Sequence, residues 1–148
     1  MRLLGLILSL TLTVGCASKQ NQMRAAAQVE LGHAYLLEGS YELAIETLQN
    51  AIDLNRRSPE AWNELALALM ARGNVKEADQ ASSKAVRLSD GDAAVLVNYG
   101  VLLQRTGRTE EAIKVLERGR EDLTYRQPAK VLNNLGLAYM TAEKCDLA

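Results

Sequence analysis

Phenylalanine is missing from this 148-residue chain, and one tryptophan and five tyrosines make up its whole aromatic content. The core must therefore come from Leu, Ala and Val, side chains that suit closely packed helices. A single histidine, His33, cannot build a metal site, and no nucleophile is placed by the sequence for it to serve as a base. Neither a glycine-rich phosphate loop nor a pair of catalytic carboxylates stands out. These gaps argue against an enzyme and against a bound cofactor. Charge is balanced, with 17 Lys and Arg against 18 Asp and Glu, so the basic stripe that nucleic acid requires is not there. The apolar run from Leu3 to Val14 is diluted by Gly5, Ser9, Thr11 and Thr13, and it is shorter than the roughly 20 residues of a membrane-spanning helix.

What the chain does contain is a repeat. Leu31-Gly32 returns 34 residues later as Leu65-Ala66 and again as Tyr99-Gly100. Gly39 is echoed by Gly73 and Gly107, Ala44 by Ala78 and Ala112, and Ala51 by Ala85 and Gly119. A fourth copy begins 36 residues on, with Leu135-Gly136 and Tyr139. This spacing of small residues resembles the tetratricopeptide pattern. The resemblance implies an all-α, right-handed superhelical solenoid of antiparallel helix pairs. Small residues let the two helices of each pair approach closely, neighbouring pairs complete the core, and the curved stack offers a concave binding surface.

The repeats divide as 25–58, 59–92, 93–128 and an incomplete 129–148. In the first, the pattern predicts helices over about Ala25–Glu38 and Tyr41–Leu54, with Ser40 as a cap after Gly39. Ser58 is placed to cap the next helix, with Pro59 in its first turn, and Asp92 to cap the one after. Asn74 with Glu77 three residues on resembles a capping box. The third-to-fourth junction, Asp122 to Ala129, is two residues longer than the period allows, and Pro128 starts the next helix. Ala148 falls where Ala44, Ala78 and Ala112 fall, so the expectation is that the natural protein continues past this point. Glu110, Glu111, Lys114, Glu117, Arg118 and Arg120 look like a solvated helix face with i,i+4 charge pairs.

Met1-Arg2, the apolar run and Gly15 before Cys16 have the order of a secretory signal peptide, residues 1–15. The segment Leu12-Thr13-Val14-Gly15-Cys16 is similar to the bacterial lipobox, although Thr13 stands where that motif usually has leucine. The similarity implies cleavage before Cys16 and covalent lipid on its side chain and new amino terminus. Each buried CH2 contributes about 0.8 kcal/mol, and two or more chains anchor stably where one is marginal. Ala17-Ser18 follows instead of the aspartate that retains similar lipoproteins at the inner membrane, so the expected location is the periplasmic face of the outer membrane. Residues 16–24 are then a lipidated tether. Cys145 lies at the repeat position of Tyr41, Val75 and Thr109, which points to packing.

Positions two, five, nine, twelve and thirteen of each first helix line the concave surface of a tetratricopeptide stack. The candidate partner-binding groove is therefore Val29, His33, Asn63, Leu67, Met70, Val97, Val101, Gln104, Asn133, Leu137 and Met140. It is largely apolar with a few amides, which suits an amphipathic helix or extended apolar segment. Val29 and Val97 occupy places where a carboxylate-reading clamp would need polar groups. Asn98 and Asn134 line the groove edge or satisfy backbone groups.

The segments Asn98 to Gly100, Gly107 to Ala112, Asp122 to Tyr125 and Val131 to Leu137, with the lipobox, resemble the type IV pilus biogenesis lipoproteins called pilotins. That resemblance implies a non-enzymatic assembly factor at the outer membrane. Its partner would be the pilus secretin, whose membrane localisation and multimerisation it promotes in support of pilus assembly and pilus-dependent motility. The other function compatible with these residues is a different periplasmic scaffold for envelope assembly or cell-wall machinery.

Overall fold

The computed structural model describes the backbone of residues 2–143 and the side chains of residues 18–143. The modification expected at Cys16 and the packing expected of Cys145 fall outside those side chains. Seven helices are described: α1 (Arg2–Leu37), α2 (Tyr41–Leu54), α3 (Pro59–Arg72), α4 (Val75–Leu88), α5 (Ala93–Arg105), α6 (Thr109–Arg120) and α7 (Pro128–Thr141). Among the described residues no helix is long and apolar enough to cross a membrane.

The helices pair as α1 with α2, α3 with α4 and α5 with α6, and α7 stacks on α5 and α6. Within a pair, a glycine lets the first helix receive a leucine from the second. A Cβ on Gly32 would lie 2.5 Å from Leu48 Cγ, and one on Gly100 would lie 2.7 Å from Leu116 Cγ. The second pair solves the same gap differently, because the register puts Ala66 opposite Ser82, both buried. Turns inside the pairs use Gly39, Gly73 and Gly107 at φ of 78°, 92° and 76°, a left-handed geometry that costs a residue with a Cβ.

Helix starts follow the sequence in part. Ser58 accepts from Ala61 N–H at 3.1 Å and Asp92 from Val95 N–H at 3.1 Å, while Ser40 and Asn74 occupy cap positions with no side-chain bond to the helix. The expected Asn74–Glu77 capping box is therefore not formed. The stretch read as a tether, residues 16–24, continues α1 without a break, so it rises about 1.5 Å per residue. Nothing in that stretch breaks a helix, since it holds neither proline nor glycine.

The core falls into two clusters. Ala44, Leu48, Leu65, Leu69 and Ala78 centre the first, which Leu102 joins from α5. Ala93, Val97, Leu116, Val131 and Leu135 form the second. The long junction before α7 is tied back by one side chain. Asp122 accepts from Ala93 N–H at 3.2 Å, from Thr124 N–H at 2.9 Å and from the Thr124 hydroxyl at 2.7 Å. The Thr124 hydroxyl first, then the backbone N–H groups of Ala93 and Thr124, hold the Asp122 carboxyl below the usual carboxylate range.

Candidate protein-binding groove

The first helices of the pairs touch one another in series, α1 to α3, α3 to α5 and α5 to α7, whereas α2, α4 and α6 do not meet. A layer packed more closely than its partner layer forms the inside of a curve. The wall of α1, α3, α5 and α7 is thus the concave side, and the positions singled out from the sequence belong to these helices.

A line of polar side chains crosses this wall. His33 Nδ1 in α1 sits 2.8 Å from Glu64 Oε2 in α3. Asn63 Nδ2 donates to Glu64 Oε1 at 3.4 Å, and Asn98 Nδ2 in α5 donates to Asn63 Oδ1 at 3.1 Å. Further along, Gln104 Nε2 donates to the backbone oxygen of Asn134 in α7 at 3.2 Å, while Asn134 Nδ2 donates to Lys130 O at 2.8 Å. Asn98 therefore binds a neighbouring amide and Asn134 satisfies backbone groups. Glu64 is absent from the candidate groove residues, because its bond to His33 joins non-equivalent repeat positions, and Asn98, read from the sequence as a groove-edge or backbone-satisfying residue, bonds a side-chain amide instead. The 35-residue separation of Asn63 and Asn98, one off the period, is the trace left in the sequence.

Apolar side chains flank the line. Leu67 and Val101 are half-buried at equivalent places in α3 and α5, and Leu137 and Met140 are exposed in α7, as is Asn133. Met70 is half-buried against the first core cluster. Val29 lines a hollow of about 230 Å³ with Ala25, Ala26, Glu30 and Glu60. Val97 is a correction to the sequence-based groove: it is 5% exposed and belongs to the α5–α7 core with Val131 and Leu135. Its apolar side chain gains by burial where Asn63, at the equivalent position, stays only half-buried.

Behind the wall, polar contacts fasten neighbouring pairs. Arg108 donates through Nη1 to Asp79 at 2.8 Å and through Nε and Nη2 to Glu111 at 2.8 and 2.7 Å. Tyr99 stands beside them, its hydroxyl pKa raised by burial and then by the Asp79 charge. Glu117 is not simply a solvated residue: it accepts from the Tyr139 hydroxyl of α7 and pairs with Arg120 at 2.7 Å. Its partner is three residues away, and Glu111 reaches back to Arg108, so the expected i,i+4 pairs are replaced by other contacts. Among the described residues no group of three or more His, Cys, Asp or Glu could hold a metal ion. The surface can grip apolar side chains and read amide groups, which is recognition chemistry.

A TPR-repeat family model matches residues 32–73, and a tetratricopeptide-repeat model matches residues 59–92 and 93–119. The chain belongs to the tetratricopeptide-repeat proteins. It is similar to the type IV pilus assembly protein PilF of Pseudomonas aeruginosa, 33% identical over 118 residues that make up 80% of this chain and 47% of that protein. The solved PilF structure superposes with a TM-score of 0.83 at 30% identity, covering 86% of this chain and 58% of that one. The chain thus spans about half the length of this relative. PilW, a type IV pilus biogenesis factor, shares the fold at a TM-score of 0.78 and 21% identity, over 84% of this chain and 57% of that one.

Proposed function

We propose that this chain is a non-catalytic, lipid-anchored type IV pilus assembly factor that binds a subunit of the pilus secretin and promotes its localisation and multimerisation at the outer membrane. The observation that carries this reading is the 33% identity to PilF over 118 residues, together with a fold whose members hold other proteins. The concave wall supplies the contact. Half-buried Leu67 and Val101 anchor apolar side chains of the partner, and the amides of Asn63 and Asn98 fix its register. Lipid on Cys16 confines the groove to the membrane where the secretin subunits arrive, which raises their effective concentration.

The test is the pair Leu67→Glu and Val101→Glu in one protein. Neither residue belongs to a buried cluster, so the charges burden the bound state, where they lose water against an apolar partner. Heat-resistant secretin multimers on gels should disappear while circular dichroism of the purified variant stays helical. Normal multimers with a folded variant would remove the groove from the mechanism. If the folded groove variant lost binding to other envelope proteins while leaving secretin multimers intact, the second reading, a scaffold for envelope assembly, would take its place.

A further inference from the structure

We propose that this chain associates with further copies of itself head to tail, the Leu123 turn of one copy entering a hollow between α2 and α4 of the next. Both surfaces lie apart from the concave wall. The hollow, about 390 Å³, opens on the outer side of the stack, where α2 and α4 do not meet. Trp62, Leu65 and Leu69 of α3 line it, with Glu77 towards one end of α4 and Lys84 and Arg87 towards the other. The Trp62 ring is held by its Nε1–H, which donates to Arg56 O at 3.1 Å. Among the described residues neither cation pairs with a carboxylate, and Glu77 pairs with no cation. The matching gap one repeat on is bridged instead. There Arg108 bonds Asp79 of α4 and Glu111 of α6, with Tyr99 at the place of Leu65. The residues 34 before Arg108 and Asp79 are Asn74 and Ile45, which cannot form that bridge, so the hollow is a departure from the repeat.

Exposure and charge assign the occupant. Leu123, on the turn between α6 and α7, is 95% exposed, more than any other large apolar side chain described. Asp122 accepts from Ala93 N–H and from Thr124 N–H, which pins the backbone beside Leu123 and holds the leucine out from its own chain. The tips of the two earlier junctions, Arg56, Arg57 and Asp90, are exposed although repeats stack on both sides of them, so stacking does not cover such a turn. Glu121 is exposed just before Leu123 and Arg126 just after it. The turn therefore offers acid, apolar anchor and base in order, and the hollow offers base, apolar floor and acid. Glu121 meets Lys84 and Arg87 while Arg126 meets Glu77, which fixes the direction of entry. Turn and hollow are different patches of one chain, so the contact does not close on itself as a two-fold dimer does; it adds copies in a row or a ring.

Sedimentation velocity of the purified protein at rising concentration reads the association. Reversible growth past the dimer is expected, weakened at least tenfold by Leu123→Ser and by Lys84→Glu, with circular dichroism showing both variants helical. Mixed one to one, the two variants should form a dimer and nothing larger, since the first keeps only the hollow and the second only the turn. If Lys84→Glu loses helicity, Arg87→Glu, at an exposed position, takes its place in the mixture. A wild type that stays monomeric would leave the hollow to another protein and overturn the proposal. Undiminished association of Leu123→Ser, or no dimer from the mixed variants, would overturn it as well.

Discussion

Gly100→Ala is expected to destabilise the protein although alanine is the better helix former. Replacing glycine inside a helix normally gains about 1 kcal/mol. Here the new Cβ would lie 2.7 Å from Leu116 Cγ, 2.8 Å from Cδ2 and 3.2 Å from Cδ1. Leu116 is fully buried, so its branch point must move inside a packed core, and overpacking of this kind costs about 1–3 kcal/mol. The net loss should be about 0–2 kcal/mol, a fall of up to several degrees in melting temperature. Leu116→Ser alone removes a buried leucine side chain and should cost about 2–5 kcal/mol. The two together recreate the Ala66–Ser82 arrangement of the second pair, so the double variant should be more stable than the sum of the singles by about 1–2 kcal/mol, a coupling expected only of residues in contact. Urea denaturation of the four proteins measures the cycle. Gly100→Ala clearly above wild-type stability, or strict additivity, would refute the reasoning.

Cys16→Ala should leave the repeats folded and release the protein from the outer membrane fraction, since no helix among the described residues can cross a membrane; an unmodified Cys16 in mass spectra of the wild type would end the lipoprotein reading. Asp122→Asn should lower the melting temperature at neutral pH. The Asp122 carboxyl titrates below its usual range in the folded chain, so its stabilisation is complete above the unfolded value of about 3.9 and fades as pH falls through the folded one. The gap between variant and wild type should accordingly close in acid, and a gap that is constant with pH would contradict this assignment.

Much of the fold was legible because glycine and alanine mark where helices meet, and those contacts recur with the chain's own period. Ser58, Pro59 and Asp92 were equally readable, since a cap depends on residues within one turn. Asn74 and Glu77 have the spacing of a cap without its bond, and the helical continuation through residues 16–24 was hidden by a polar composition that suits tether and helix alike. The site was harder. The location of the wall follows from the repeat, but the line from His33 to Asn98 depends on how far one helix is offset along the next. Val97 shows the same limit: its burial is decided by α7, whose position depends on the long junction and the Asp122 contacts that hold it.

The alternation of Gly–Leu, Ala–Ser and Gly–Leu contacts bears on how the chain finds its order during folding. Three hairpins of nearly equal length and shared pattern are liable to exchange helices, since each first helix meets several second helices of similar shape. Pairing α3 with α6 would drive Ala66 into Leu116, and pairing α1 with α4 would leave Gly32 facing Ser82 across a void. Both exchanges are penalised, one by collision and the other by emptiness, so the middle pair separates its neighbours as well as joining them. A chain made uniform by giving every repeat the same glycine and leucine would lose that discrimination.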